Sequence, residues 1–550
     1  MDTEILVAGA GPTGLTMANV LARQGVSFRI IDSKMGPTDE SRALMMHAKS
    51  LELLARLGLA EQAVEDGQKL EAVKVLIKGR SAGEVSFFGD RDGGFTPYPF
   101  ALVYEQNASE RLLIEGLGCS GAGVEWNTEL RELTQTERGA RAVIRRPDGG
   151  EEVVAARWVV GADGASSRVR HALGLGFEGD TYEQTFFLAD VEMEWGLGRD
   201  KVQLDFIGEG FYGFFPMHGG RRFRIIGSLP PDLTGQENLS VDDVRRILDD
   251  NSGLDLEILG ARWISVYRLH RRMTERFRVG RVFLVGDAAH VHSPAGGQGM
   301  NTGIGDAYNL GWKLAMVAGG EALPDLLDSY EPERIPFARA ILNGSDRGFS
   351  LQAATNSLWG RLRLLLIPAL FRVLSLPGPR RIVFPLVSQL WTRYRDSPAI
   401  EQSGPAKHGP RAGDRAPYGS FEAGPRRGTS IFDLMNDTDH HLLLFEGTQG
   451  RTADLEATED GIVGLLDLYA ATFAVDLVAA ENRNLHKRYG AKTATLYLVR
   501  PDGHVAYRGP ATDRTGLGAY LDRFFERVPA PDSTAVTLRP PESVGKETDY

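Results

Sequence analysis

The sequence predicts an α/β protein of several domains, and three observations support this fold class. The chain opens with a strand, a glycine-rich turn, a helix and a second strand within residues 5–31. A strand followed by a polar turn returns at residues 281–287. Between these two regions, residues 180–270 carry alternating apolar side chains, which is typical of antiparallel strands. We therefore expect a parallel sheet with helical crossovers, into which an antiparallel sheet is inserted.

The composition is that of a globular protein, and it narrows the choice of partners. The chain has 550 residues, 42% hydrophobic and 25% charged, so its length predicts about three or four domains. Its net charge of −11, from 62 basic and 73 acidic residues, argues against nucleic acid and against an anionic membrane surface. The apolar residues 364–371 are too few to cross a membrane. The single cysteine, Cys119, and the lack of a leader sequence predict a cytoplasmic location.

The first element has the pattern of a dinucleotide-binding unit. Residues 9–14 fit GxGxxG directly after a buried strand and at the start of a helix. Such glycines let the backbone approach a pyrophosphate, which rests at the positive end of the helix. Asp32 ends the second strand, where a carboxylate can accept hydrogen bonds from a ribose diol. A glycine-rich turn alone is weak evidence, but with the strand, the helix and Asp32 it predicts dinucleotide binding.

Two later turns follow predicted strands and carry an acidic residue each. Asp163 begins a turn that continues to Arg170, and this turn either binds a ligand or only reverses the chain. Asp287 stands at the carboxyl end of the strand at 281–285, where ligands bind in open α/β sheets. Three glycines within residues 296–299 then expose backbone amides ahead of a long helix.

The histidines of the second turn, His290 and His292, resemble a metal-binding pair. A zinc site needs three or four ligands, and neither a cysteine nor a pair of carboxylates completes this one. We therefore expect no metal.

Three motifs occur in a fixed order: GxGxxG at 9–14, DGxxSxVR at 163–170 and GDAAHxxxPxxGQGxN at 286–301. Together they resemble the class A flavoprotein aromatic hydroxylases, the FAD monooxygenases related to para-hydroxybenzoate hydroxylase and phenol hydroxylase, over about residues 1–400. In the remainder, residues 413–417 (GDRAP) and 498–503 (LVRPDG) are similar to the thioredoxin-like C-terminal domain of the phenol-hydroxylase-like and polyketide-tailoring branches. The remainder lacks CxxC, which excludes dithiol chemistry and leaves a structural role or a homodimer contact.

The resemblance implies a Rossmann-like FAD-binding domain, an inserted antiparallel-sheet substrate domain, a helical segment and the C-terminal domain. The expected boundaries are 1–175 and 270–345 for the FAD-binding domain, 72–105 and 176–269 for the substrate sheet, 346–403 for the helical segment, 404–417 for a linker, 418–535 for the thioredoxin-like domain and 536–550 for a tail.

The resemblance also implies site residues. Pro294 would face the reacting oxygen, and Arg42 would reach the cofactor. Cofactor contacts are implied for Gly9, Gly11, Thr13, Gly14, Asp32, Ser33, Arg42, Gln106, Leu130, Asp163, Asp287, Gly297, Gly299, Met300 and Asn301.

Aromatic residues crowd the middle of the inserted sheet, and we expect the substrate there. Tyr212, Phe214, Met217 and His218 are the candidates, although ordinary core packing explains each of them singly as well. Tyr212 or His218 would be the base if a phenol is deprotonated.

The implied activity is that of an FAD monooxygenase. NADH or NADPH would reduce the FAD, O2 would form a C4a-hydroperoxide, and a phenolic or polycyclic aromatic substrate would be hydroxylated. Two alternatives stay open. One is Baeyer–Villiger insertion or epoxidation on a polyketide, and the other is a non-catalytic FAD-binding protein.

Overall fold

The computed structural model describes residues 1–39, 41, 43–86, 94–196, 198–207, 210–233, 235–293, 295–353, 357–374, 376–435, 438–449 and 455–528. Within these ranges the chain forms 13 α-helices and 24 strands. The helices are α1 (Pro12–Arg23), α2 (Ala48–Arg56), α3 (Ala60–Asp66), α4 (Gln106–Cys119), α5 (Arg168–Ala172), α6 (Val241–Asn251), α7 (Gln298–Gly319), α8 (Tyr330–Ala353), α9 (Ser357–Leu374), α10 (Pro377–Val387), α11 (Leu455–Leu466), α12 (Arg483–Tyr489) and α13 (Arg514–Phe524).

The strands form four sheets. In chain order they are β1 (Thr3–Ala8), β2 (Phe28–Ile31), β3 (Met45–Met46), β4 (Gln68–Leu70), β5 (Ala72–Ile77), β6 (Arg80–Val85), β7 (Ala101–Val103), β8 (Val124–Glu125), β9 (Glu129–Thr136), β10 (Gly139–Arg145), β11 (Glu151–Gly161), β12 (Glu178–Trp195), β13 (Lys201–Ile207), β14 (Gly210–Pro216), β15 (Arg222–Ser228), β16 (Leu256–Met273), β17 (Arg278–Val279), β18 (Val282–Leu284), β19 (His290–Val291), β20 (Glu401–Gln402), β21 (His440–Phe445), β22 (Phe473–Val478), β23 (Thr495–Val499) and β24 (Val505–Pro510).

The first sheet has the order β17-β18-β11-β1-β2-β8, and β10 and β9 extend from β11. β1 pairs in parallel with β2 and β11, and β11 pairs in parallel with β18. Because helices and other elements cover both faces of such a sheet, its central strands are apolar throughout. Residues 5–8 of β1 are accordingly buried. The pairing of β11 with β18 brings the two separated parts of the first domain together, as the sequence predicts.

The second sheet has the order β19-β16-β12-β15-β14-β13-β5-β6. It is antiparallel except for the pair β13 and β5, which is parallel. One face packs against α6 in an apolar cluster. At its edge, β16 pairs with β19, so the inserted sheet is hydrogen-bonded directly to the segment that leads from β18 to α7. A small third sheet, β3-β7-β4, takes up β7, which the sequence assigns to the substrate sheet.

The C-terminal sheet has the order β20-β24-β23-β21-β22, with α11, α12 and α13 from the same region of the chain. Its edge strand β20 comes from residues 401–402, before the predicted linker. Ala412 and Ala416 of that linker are buried in the C-terminal apolar cluster. Residues 404–417 therefore pack with this domain for at least part of their length, while the domain boundaries as a whole stay a prediction.

Helix α9 contains the apolar residues 364–371. None of the helices that the structure describes has both the length and the apolarity that a membrane span requires.

Candidate active site

A cavity of about 550 Å³ opens where β1 and β2 end and α1 begins. Its size lies within the range of small-molecule sites, roughly 300–1,000 Å³. Many of the residues that the sequence predicts as cofactor contacts line it. These are Gly9, Gly11, Asp32, Ser33, Gln106, Leu130 and Asp163.

The glycines of the first turn serve two different purposes. Gly9 has φ +105°, and a Cβ there would overlap the carbonyl oxygen of Ala162. A Cβ on Gly14 would overlap the carbonyl oxygen of Gly9. A Cβ on Gly11, by contrast, would meet nothing within 4 Å. Gly9 and Gly14 are thus required for packing, whereas Gly11 leaves open space in front of the α1 N-terminus, where a pyrophosphate fits.

Asp32 is held at the end of β2 by backbone donors. Its Oδ2 accepts from the amide of Ala10 at 2.6 Å, and its Oδ1 accepts from the amide of Lys34 at 2.8 Å. A carboxylate has about four acceptor positions. Acceptor capacity for two ribose hydroxyls therefore remains on a carboxylate whose orientation is already fixed.

The loop that borders the cavity is fixed by α4. Gln106 Oε1 accepts from the amide of Ala43 at 3.3 Å, and Gln106 Nε2 donates to Glu110 Oε1 at 3.0 Å. The second oxygen of Glu110 accepts from the amide of Thr38 at 2.7 Å, and this side chain is fully buried. Sequence reasoning missed Glu110. Its signal is the polar pair that it forms with Gln106 one helical turn away.

The turn after β11 is closed by its own side chains. Asp163 accepts from Ser167 Oγ at 2.5 Å and from the amide of Val169 at 3.1 Å, and burial raises the pKa of Asp163. Arg170 donates to the carbonyl oxygens of Ala165 at 2.8 Å and Ala288 at 2.9 Å. Arg170 therefore joins this turn to the one that carries Asp287.

Asp306 on α7 holds the turn that carries Asp287 through hydrogen bonds. Asp306 Oδ2 accepts from the amide of Gly286 at 3.0 Å and from His290 Nε2 at 2.7 Å. Asp306 Oδ1 accepts from Arg334 Nε at 2.6 Å. Burial by itself would raise the pKa of Asp306, but Arg334 and His290 outweigh it and hold the pKa below its usual value. Sequence reasoning missed Asp306, although a carboxylate within an apolar helix is a signal.

His290 therefore orients this turn through its bond to Asp306. Among the residues that the structure describes, no group of three or more His, Cys, Asp or Glu side chains could hold a metal ion. Asp287 itself is exposed at the turn.

Thr13, at the start of α1, packs between the turn at Gly286 and α7. A Cβ on Gly286 would lie 2.7 Å from Thr13 Oγ1, and one on Gly303 would overlap the same atom. The two glycines thus let Thr13 enter the space between the turn and α7.

The loop ahead of α7 is held by Asn301. Its Nδ2 donates to the carbonyl oxygens of Met45 at 2.8 Å and Gly297 at 2.7 Å. Its Oδ1 accepts from the amide of His47 at 2.8 Å and from Ser50 Oγ at 2.7 Å. Because its carboxamide is fully used in this way, only the backbone of Asn301 is left for a cofactor.

Neighbouring residues complete this loop. Gly297 has φ +64°, and a Cβ there would lie 2.5 Å from Met45 Cβ. His47 Nε2 donates to the carbonyl oxygen of Gly296 at 2.7 Å, and burial lowers the pKa of His47 to about 4. Met300 is buried in the main apolar cluster. Arg42 and Pro294, the two residues predicted to act in the reaction, lie outside the described residues.

Unsatisfied polar atoms next to this loop fit a polar cofactor. His292 Nδ1 donates to the carbonyl oxygen of Ser293 at 2.9 Å, which leaves His292 Nε2 buried without a partner. Ser293 Oγ is also buried without a partner. Burial lowers the pKa of His292 to about 4, so the ring is neutral at pH 7. Because buried polar atoms are normally paired, these atoms and the open space at Gly11 are consistent with bound FAD.

The aromatic residues of the inserted sheet divide between its two faces. Tyr212 and Phe214 belong to the cluster against α6. Tyr212 Oη is buried without a partner, and burial raises its pKa. Phe211 and Phe215 alternate with them and belong to clusters on the opposite face.

Met217 and His218 follow the same strand and differ in burial. Met217 is fully buried in a cluster that also contacts Met45 and Phe215. His218 is exposed.

Comparisons with known proteins now give the class. Residues 2–345 match the family described as FAD binding domain, and residues 409–528 match the family described as aromatic-ring hydroxylase, C-terminal. The chain belongs to the family of FAD-binding aromatic-ring hydroxylases.

Individual relatives agree with this class. The chain is 36% identical to pentachlorophenol 4-monooxygenase of Sphingobium chlorophenolicum, over 84% of this chain and 83% of the relative. It is 34% identical to 6-methylpretetramide 4-monooxygenase of Streptomyces rimosus, over 94% of this chain and 93% of the relative. The structure resembles a ternary complex of aklavinone-11 hydroxylase with FAD and aklavinone, with a TM-score of 0.76, 26% identity and coverage of 95% and 98%.

These findings confirm the predicted fold class and the predicted activity class. The protein is an FAD-dependent aromatic monooxygenase. The assignment removes the alternative of a non-catalytic FAD-binding protein.

Proposed function

We propose that the protein hydroxylates a phenolic or polycyclic aromatic compound with O2, using NADH or NADPH as the reductant. One observation supports the location of the substrate site. Met45 contacts Gly297 of the loop ahead of α7, and it also packs in the cluster that contains Phe215 and Met217. An apolar face of the inserted sheet therefore lies beside the loop with the unsatisfied polar atoms.

The residues that would hold FAD lie along one path. The amides around Gly11 would bind the pyrophosphate, Asp32 the adenosine ribose, and Asp287 the ribityl chain. The backbone of residues 297–301 would run along the ring system. When bound, FAD supplies the redox chemistry that activates O2, which no side chain provides.

The chain itself contributes position, charge and exclusion of water. The backbone amides at the N-terminus of α7 carry partial positive charge and stabilise a developing negative charge next to them. Neutral His292 offers Nε2 as a buried acceptor, because its Nδ1 proton is committed to Ser293. The apolar cluster around Met45 keeps water from this loop.

We infer that Phe211 and Phe215, rather than Tyr212 and Phe214, contact the aromatic ring of the substrate. Phe215 shares its cluster with Met45 and Met217, whereas Tyr212 and Phe214 pack against α6. Tyr212 is also a poor base, because burial raises the pKa of its hydroxyl and keeps it protonated. Met217 stays a candidate contact, and His218 stays a candidate base at the exposed end of the strand.

The proposal includes a cytoplasmic location. An exposed, unpaired Cys119 is compatible with a reducing compartment, and NADH and NADPH are supplied there.

The test is oxidation of NADH and of NADPH by the purified yellow protein, with and without a panel of phenols and aromatic polyketides. The proposal expects at least one aromatic compound to accelerate oxidation and to gain one oxygen atom by mass spectrometry. A lactone or ring-expanded product would favour Baeyer–Villiger insertion, and an epoxide would favour epoxidation. If no aromatic compound is oxygenated with either reductant, the proposal is wrong.

A pair of variants tests the choice of sheet face. Phe215→Leu should raise the KM for the aromatic substrate about tenfold, because it removes ring contacts on the face next to Met45. The matched control Phe214→Leu, one residue away on the α6 face, should lower Tm and leave KM unchanged. If KM rises only with Phe214→Leu, the substrate contacts the face that carries Phe214, as the sequence predicts, and our inference is wrong.

A further inference from the structure

A buried row of polar side chains runs along α7, away from the active-site loop. Asp306, Asn309 and Lys313 are spaced by three and four residues, which puts them on one helix face. All three are at most 1% exposed. Asp306 binds the amide of Gly286, so one end of the row contacts the turn that carries Asp287. The other end has no role in the site described above.

Two adjacent residues of α8, Arg334 and Glu333, bind the two ends of this row. Arg334 donates through Nε to Asp306 Oδ1 at 2.6 Å and through Nη1 to Tyr394 Oη at 3.0 Å. Glu333 accepts from Lys313 Nζ at 2.8 Å and from Asn309 Nδ2 at 2.6 Å. Arg334 therefore binds the end of the row near the active site, and Glu333 binds the far end.

The C-terminal domain completes the row with the turn between β23 and β24. Arg500 donates to both oxygens of Glu333, at 2.7 and 2.9 Å. Arg500 also pairs with Asp502, and Asp502 Oδ2 accepts from Asn309 Nδ2 at 3.3 Å. The ring of His504 in the same turn contacts the ring of Tyr394 in a tilted arrangement, with centroids 4.3 Å apart. The same domain therefore contacts both α8 residues, Glu333 directly and Arg334 through Tyr394.

The cluster brings three cations and three anions together, and a further buried cation, Lys49, donates to the carbonyl oxygen of Asp502 at 3.0 Å. Its cations are Lys313, Arg334 and Arg500, and its anions are Asp306, Glu333 and Asp502, all buried. Because water cannot screen charges in such a place, the loss of one contact changes the balance at every other member. A change at Arg500 is therefore transmitted along α7 and α8 to Asp306.

We propose that the C-terminal domain positions the FAD-binding turn 286–290 through this cluster, with Arg500 and Tyr394 as positioning residues. The domain thus has a function in cofactor binding although it lies apart from the 550 Å³ cavity. The proposal rests on the proposed placement of FAD at the turn that carries Asp287, and on none of the proposed substrates or reductants.

The experiment compares full-length proteins with FAD bound. The variants are Asp306→Asn, Arg500→Lys and Tyr394→Phe, where the last removes only the hydroxyl that Arg334 binds and keeps the ring on His504. The matched control is Arg415→Lys. Arg415 also pairs with a buried glutamate across the same two domains, but that partner, Glu52, lies on α2. For each protein, Tm, the dissociation constant of FAD and the visible absorption spectrum of the bound flavin are measured.

We expect Asp306→Asn to weaken FAD binding most. Arg500→Lys and Tyr394→Phe should each weaken it about five- to tenfold, within the range of coupled sites, and should shift the flavin absorption bands in the same direction as Asp306→Asn. Arg415→Lys should lower Tm without either effect. If Arg500→Lys and Tyr394→Phe lower Tm but retain the FAD affinity and spectrum of the Arg415→Lys protein, the cluster only joins the domains and the proposal is wrong. A wild-type protein that binds FAD but oxygenates nothing would contradict the proposed function and leave this test valid.

Discussion

The glycine-rich segments ahead of α1 and α7 look alike in sequence but have different surroundings. Ahead of α1, the middle glycine, Gly11, borders a cavity and has open space where a Cβ would be. Ahead of α7, Gly297 has a positive φ and contacts Met45 closely. The first segment is open toward a ligand, and the second is packed against protein on at least one side. Glycine in such a motif therefore has three separate causes, namely ligand access, backbone conformation and close packing.

The largest expected effect comes from a glycine that is needed for packing. Gly14→Ala would place a Cβ on the carbonyl oxygen of Gly9 and 3.2 Å from the Cβ of Ala162. We expect a loss of about 3 kcal/mol or more in the free energy of unfolding, the upper range for overpacked sites. Chemical denaturation of the apoprotein measures it. Stability within 0.5 kcal/mol of wild type, on the order of a surface substitution, would show that the turn adapts.

Substitution of Gly11, which borders the cavity, should leave the stability unchanged and weaken FAD binding. Gly11→Thr keeps an acceptable N-cap residue, so the apoprotein should keep its stability within about 0.5 kcal/mol. The new side chain would occupy the space in front of the α1 N-terminus, and FAD affinity should fall about a hundredfold, or about 2.7 kcal/mol. Calorimetric titration of apoprotein with FAD gives the affinity. An unchanged affinity would mean that the pyrophosphate does not bind at this position.

The smallest effect, taken per pH unit, is a loss of stability in acid, and it should involve His47, which binds the segment ahead of α7. The pKa of His47 falls from 6.5 unfolded to about 4 folded, so the unfolded state binds more protons between these values. The free energy of unfolding should therefore decrease as pH falls from 6.5 to 4, by about 1.4 kcal/mol per pH unit from this group. His47→Gln should remove that part of the slope. A slope equal to that of the wild type in the His47→Gln protein would contradict this account.

The ligand-facing segment ahead of α1 could be predicted from the sequence. The buried side chains that hold the site in place, such as Asp306, could not. Gly9, Gly11 and Asp32 can be placed from local motifs, because each follows a strand whose end defines the site, whereas Leu130 is placed only by the family resemblance. Asp306 cannot be recognised in the same way, because its partner Arg334 belongs to another helix. A local pattern holds no information about which distant charge will be its neighbour.

The inserted sheet shows a second limit. Strand β14 has aromatic residues at 211, 212, 214 and 215, so both of its faces are aromatic. A period of two therefore cannot indicate which face meets the substrate. The distinction needs α6 on one side and Met45 on the other, and both come from other parts of the chain.

The pairing of β18 with β11 also constrains how the protein matures on the ribosome. β11 ends at Gly161, and its neighbour β18 begins at Val282, after every strand of the inserted sheet except β19. The GxGxxG turn thus emerges early, but Gly286 and Gly303, between which Thr13 packs, emerge much later. Until β18 has been synthesised, the edge of β11 that will pair with it remains unpaired. Its backbone groups are then accessible to chaperones or to neighbouring chains. Slow translation between these two strands would prolong that exposure.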